Sequence, residues 1–147
     1  MTDKLKAMLD RQIVIFDGAT GTELYKRDFF INSSYEGLVL SNPDVVTDIH
    51  RSYIDAGADV LTTNTYGANR NKLRRFGLGD KVAEINRKAV ELARGVCGED
   101  NLVAGSVGPV GESSYGKALT DDEIRGILTE QAAALAEGGA DFILFES

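Results

Sequence analysis

Gly57-Ala58-Asp59-Val60-Leu61-Thr62-Thr63 and Gly139-Ala140-Asp141-Phe142-Ile143-Leu144-Phe145 repeat one pattern. In each, a glycine closes a helical stretch and an acid leads into a short apolar run, the signature of a buried strand. Ile13-Val14-Ile15-Phe16 and Leu102-Val103-Ala104-Gly105-Ser106-Val107 are further runs of this kind, so strands begin near positions 13, 59, 102 and 141. A spacing of about forty residues accommodates the loop and crossover helix that successive parallel strands require. The expected fold class is α/β, built of parallel (β/α) units, in either an open doubly wound sheet or part of a (β/α)8 barrel. Four units are half a barrel, because a closed one takes eight strands and about 250 residues. The chain stops on its fourth strand, so residues 1–147 are expected to be one truncated domain.

The segments between strands carry helix signals. Asp3 heads a short helix with Leu5, Met8 and Leu9 on one face. Ser41-Asn42-Pro43-Asp44 combines a capping side chain, a proline in the first turn and an acid near the positive end of the dipole. Residues 69–76 suit a short helix stopped by Gly77, and Asp80 is expected to cap a longer one. Thr120-Asp121-Asp122-Glu123 reads as a capping box. Residues 23–40 form a mixed stretch, long for a plain connection, which favours a functional loop.

Composition narrows the function classes. Hydrophobic residues make up 43% of the 147, ordinary for one domain with a core. Net charge is −7, and the basic residues are scattered except around Arg70, Lys72, Arg74 and Arg75. A nucleic-acid footprint needs a clustered basic face, so no nucleic-acid partner is expected. No apolar run approaches a membrane span, and Met1-Thr2-Asp3-Lys4 does not open a signal peptide. One cysteine, Cys97, excludes an internal disulfide and suits a cytoplasmic setting.

Both candidate folds bind ligands at the carboxyl ends of their strands. Those ends carry Asp17, Asn64 with Thr65, Ser106 with the loop after it, and Glu146. Asp17 is followed at once by Gly18 and Ala19, where a missing side chain lets backbone N–H groups approach a ligand closely. A carboxylate beside free amide donors can grip both charged groups of one amino acid. Taken alone, Asp17 and Glu146 are ordinary strand-end acids; facing one rim, they become candidates for holding an ammonium together. The spacing around Gly18 is not a dinucleotide fingerprint, and Gly105-Ser106-Val107-Gly108 is not a nucleophile elbow. Ser106 lacks a histidine partner, since His50 sits within a helix. One cysteine and one histidine cannot supply three protein ligands to zinc, so neither a metal site nor a catalytic residue is assigned in this chain.

These blocks resemble a known family. Asp17-Gly18-Ala19-Thr20-Gly21-Thr22, Ser41-Asn42-Pro43-Asp44-Val45-Val46, the stretch Ala56-Gly57-Ala58-Asp59 through Asn64-Thr65-Tyr66, Val103-Ala104-Gly105-Ser106-Val107-Gly108-Pro109 and Gly139-Ala140-Asp141 through Glu146 are similar to the homocysteine S-methyltransferases. The likeness is nearest to the homocysteine-binding module of the cobalamin-dependent methionine synthases and covers the amino-terminal half of the family's TIM barrel. It implies methyl transfer to the sulfur of homocysteine, giving methionine, with zinc on three cysteine thiolates keeping that sulfur nucleophilic. It implies that Asp17 and Glu146 hold the substrate amino group and that Gly18 and Ala19 receive its carboxylate. Asn64 and Thr65 then line the pocket. The family's zinc cysteines lie on later strands, so the chain alone is expected neither to bind zinc tightly nor to turn over. The methyl donor stays open among a methylcobalamin protein, S-methylmethionine and a betaine-type compound.

Expected partners are homocysteine, a complementary half-barrel, a corrinoid module, or a second copy of the chain, since open sheet edges invite pairing. Two other readings compete: a non-catalytic half-barrel association module, and an α/β domain holding a phosphate at its glycine-rich turns.

Overall fold

The computed structural model describes residues 3–30, 32–111 and 118–147; Met1 and Thr2 of the opening segment and Ile31 of the long connection lie outside the described residues. Helices α1 (Asp3–Leu9), α2 (Thr20–Tyr25), α3 (Leu38–Ser41) and α4 (Pro43–Asp55) precede strand β1 (Val60–Thr62). After it come α5 (Arg70–Leu73), α6 (Val82–Arg94), β2 (Leu102–Val107), α7 (Asp121–Glu137) and β3 (Phe142–Phe145). The sheet is parallel in the order β1-β2-β3, with Val60 opposite Leu102 and Ala104 opposite Phe142. Phe16 bridges to Val60 on the free side of β1. Strands thus lie side by side in chain order. A doubly wound sheet reverses its order at a switch point, and a barrel does not.

The repeated Gly-Ala-Asp pattern has one physical job at both places. Gly57 and Gly139 adopt φ of +98° and +92°, the left-handed turn that ends α4 and α7. The acid two residues on then reaches to the preceding strand. Asp59 Oδ2 accepts from the N–H of Ile15 at 2.8 Å, and Asp141 Oδ2 accepts from that of Val103 at 2.7 Å. Arg94 also donates to Asp141 at 2.6 Å. Each helix exit therefore sets the register of the strand it feeds.

Side chains alternate across the sheet as the pleat requires. Leu61, Val103 and Val107 pack with Val90, Ala93 and Leu135 of α6 and α7. Val60, Leu102 and Ala104 face the other way and meet Leu5 and Met8 of α1, with Val14, Phe142 and Leu144 beside them. A further cluster, including Leu24, Val39, Ile49, Leu73 and Ile85, ties α2–α6 together outside the sheet. Of the basic cluster, Arg70 is engaged by Glu130 of α7 and by Asp80, so it braces helices. No helix among the described residues is long and apolar enough to cross a membrane.

Three expectations are corrected. Residues 13–16 read as a strand buried on both faces, yet Ile13, Ile15 and Phe16 are 89%, 56% and 39% exposed. The segment hydrogen-bonds only toward β1, through Ile15 and Asp17, and no described strand pairs its outer side. Asp80 does not cap α6: it lies in a 3₁₀ turn, Gly79–Lys81, and Lys81 occupies the cap position. Leu9 is half exposed, because α1 turns only Leu5 and Met8 onto the sheet. The capping box is present as read, with Thr120 and Glu123 exchanging both hydrogen bonds. Asn42 stands before Pro43 as the reading of α4 requires, but without a side-chain cap bond.

Candidate functional site

At the carboxyl ends of the strands lies a cleft of about 550 Å³. Asp17, Gly18, Ala19, Asn64, Thr65 and Glu146 all line it, so the rim residues singled out by the sequence converge on one space.

Asp17 follows the 13–16 segment and crosses to β1. Its Oδ2 accepts from the N–H of Thr62 at 2.9 Å, and the Thr62 hydroxyl donates to Oδ1. Burial pushes the Asp17 carboxyl up to about 6, the Glu146 charge pushes the same way, and the Thr62 hydrogen bonds oppose both. At neutral pH it is still mainly ionised. Glu146 follows β3, and its Oε1 accepts from the Ser106 hydroxyl at 2.6 Å. Asp17 and Glu146 line the same mouth.

The turn after Asp17 presents amide donors. The N–H groups of Gly18 and Ala19 have no hydrogen-bond partner among the described residues. Gly18 is needed for close packing: a Cβ there would meet the Tyr53 hydroxyl at 2.9 Å, and that hydroxyl donates to the Ala19 carbonyl. Asn64 donates to the Tyr35 carbonyl at 2.7 Å, and Thr65 donates to the Ser106 carbonyl at 2.7 Å. Both side chains therefore shape the wall while already bonded to it.

The structure adds residues that sequence reasoning passed over. Tyr35 and Glu36 come from the long 23–40 connection, whose length was the only signal. Glu36 accepts from the Gly67 N–H at 2.8 Å and from Ser34, and so bridges that connection to the loop after β1. Thr62 was quoted only as a strand residue. Tyr66 stands at the mouth with Lys72 Nζ 4.8 Å from its ring centroid.

The donors in this cleft are oxygens and amides. His50 is fully buried in α4 and Cys97 follows α6, and neither lines the cleft. Among the described residues no group of three or more His, Cys, Asp or Glu is placed to hold a metal. This donor chemistry does not fit a zinc held by three thiolates.

Residues 14–147 match the family described as Homocysteine S-methyltransferase. The chain belongs to the homocysteine S-methyltransferase family. Within the family it is 33% identical over 159 aligned positions to methionine synthase of Mycobacterium tuberculosis, covering 95% of this chain and 13% of that protein. Methionine synthase of Mycobacterium leprae is 32% identical over 165 positions, covering 99% and 13%. The homocysteine methyltransferase MmuM from Escherichia coli, solved in a metallated form, superposes with a TM-score of 0.84 at 28% identity. That superposition covers 98% of this chain and 57% of MmuM. The apo form of MmuM gives 0.71 over 96% of the chain. This homocysteine S-methyltransferase-family chain thus has the fold of part of a (β/α)8 barrel and spans 13% of the curated relatives' length.

Proposed function

We propose that residues 1–147 form the amino-acid-gripping half of a homocysteine S-methyltransferase, an enzyme that moves a methyl group to the homocysteine sulfur and yields methionine. One observation carries this reading: Asp17 and Glu146 share a cleft in which the Gly18 and Ala19 N–H groups have no partner among the described residues. In it, the homocysteine ammonium lies between the two carboxylates, and its carboxylate takes the two amides. Asn64 and Thr65 form the wall beyond. Three carboxylates, counting Glu36, line the space, which makes a phosphate a poor occupant.

The remaining chemistry is assigned outside this chain. The zinc of the family finds no ligand set among the described residues, and a methylcobalamin protein is one class of methyl donor. The exposed 13–16 edge and Phe145, 64% exposed, favour a complementary half-barrel or a second copy as the partner that covers them. The free Cys97 suits a reducing, cytoplasmic setting.

The test is a calorimetric titration of the chain with L-homocysteine across pH. The ammonium needs the Asp17 carboxylate, so affinity is expected to hold above about pH 6 and to fall as pH drops through it. Below that point the loss is at most about tenfold per pH unit, the limit for a single competing proton. Affinity independent of pH from 7.5 down to 5 overturns the assignment of Asp17.

A further inference from the structure

Strand β2 runs beyond the end of β1. The register between them stops at Thr62 opposite Ala104, so the N–H and C=O of Ser106 on that side have no strand to meet. An unpaired buried backbone group is costly, and here side chains replace the strand. The Ser106 N–H donates to Thr63 Oγ1 at 3.0 Å, and Thr65 Oγ1 donates to the Ser106 carbonyl at 2.7 Å. Between the two hydroxyl oxygens the distance is 2.6 Å.

Each threonine hydroxyl has a single proton. That of Thr65 goes to a carbonyl, which can only accept, so the Thr63 proton must go to Thr65. The result is a closed ring running from the Ser106 N–H through Thr63 and Thr65 back to the Ser106 carbonyl. Gln131 of α7 closes it from behind by donating to the Thr65 carbonyl at 2.7 Å. Thr63, Thr65, Ser106 and Gln131 are all buried. The remaining freedom of Ser106 is its own hydroxyl, and that proton points to Glu146 Oε1.

We propose that Ser106 is a positioning residue for Glu146 and that the Thr63–Thr65 ring holds Ser106 in register for the task. This rests on the ammonium-gripping reading of the cleft. The hydroxyl donor orients the carboxylate toward the space it shares with Asp17, and the ring prevents the Ser106 backbone from rotating that donor away. Neither threonine need touch the ligand.

The readout is a preference, not an affinity: L-homocysteine against 4-sulfanylbutanoate, the same molecule without its amino group. Ser106→Ala and Thr63→Val are each expected to reduce that preference about tenfold, as loss of a hydrogen bond to a charged group does. Binding of 4-sulfanylbutanoate should stay within about twofold of the parent chain, a change too small to register as a lost contact. Thr63→Ser keeps the hydroxyl and should restore the preference, and it serves as the folding control for Thr63→Val. If both ligands weaken equally, the ring is only structural and the proposal fails. If Ser106→Ala and Thr63→Val keep the preference while Glu146→Gln loses it, the proposal fails and the ammonium reading stands. If Glu146→Gln also keeps the preference, both fall.

Discussion

Glu146→Gln is expected to weaken L-homocysteine binding about thirtyfold, the loss typical of removing one charge from a hydrogen-bonded pair. The substitution keeps the shape of the side chain and an acceptor for the Ser106 hydroxyl, which now donates to Glu146 at 2.6 Å. What it removes is the negative charge facing the ammonium. Asp17→Asn is expected to cost less, because both Asp17 oxygens are already engaged by Thr62 and burial opposes its charge. The two losses should not add. In the proposed grip both carboxylates act on one ammonium, and deleting either relieves the repulsion the other feels, so a double-mutant cycle should show coupling. Calorimetric titration at pH 7.5 measures all four corners. A change below threefold for Glu146→Gln, less than one ordinary hydrogen bond, removes the basis of the functional reading.

The second large effect concerns stability. His50 is fully buried in α4 and neither ring nitrogen has a hydrogen-bond partner among the described residues. Burial pulls its imidazole down from 6.5 to about 4. The unfolded chain therefore takes up this proton first as pH falls. The stability associated with neutral His50 is complete above 6.5 and is lost on descent to 4, by roughly 3 kcal/mol. Asp17 has the opposite sign. Its folded carboxyl sits near 6 against 3.8 unfolded, so its contribution is present below 3.8 and disappears as pH rises through 6. The size is about 2 kcal/mol once solvent screening of a partly exposed group is allowed for.

Between pH 4 and 6 these two slopes nearly cancel. His50→Leu is expected to stabilise the chain at pH 7 by about 1–3 kcal/mol, since it removes two unsatisfied polar atoms from an apolar site. The same variant should also gain stability from pH 6 to 4, where His50 no longer opposes the Asp17 slope. Asp17→Asn should do the reverse and lose stability over that interval. Urea midpoints at pH 7, 6, 5 and 4 test both. A His50→Leu variant with the same pH dependence as the parent chain contradicts the assignment.

How much of this was legible in the residues depended on whether a signal was local. The Gly-Ala-Asp repeats exposed the strand spacing, and the capping box marked the start of α7, because both are written within a few adjacent residues. Asp17 and Glu146 were found because strand ends in parallel folds share a rim, a rule of topology that needs no coordinates. The burial of residues 13–16 was misread because composition cannot show whether a neighbour exists on both sides of a strand. Thr62 and Glu36 escaped for a related reason. Their roles, clamping Asp17 and bridging two loops, arise from contacts between segments far apart in the chain. Thr65 is legible as a rim residue, but its bond to Ser106, like that of Thr63, arises only because the shortness of β1 leaves Ser106 without a partner strand.

The common direction of the strands constrains any polypeptide that completes this sheet. The 13–16 segment, β1, β2 and β3 all point the same way, and Asp17 and Glu146 follow the first and the last of them. A further strand docked in parallel on either flank must finish at that same level. Its last side chains then arrive beside the cleft without any dedicated arm to deliver them. Polarity alone would therefore bring the last side chains of such a strand to the mouth that Asp17 and Glu146 line.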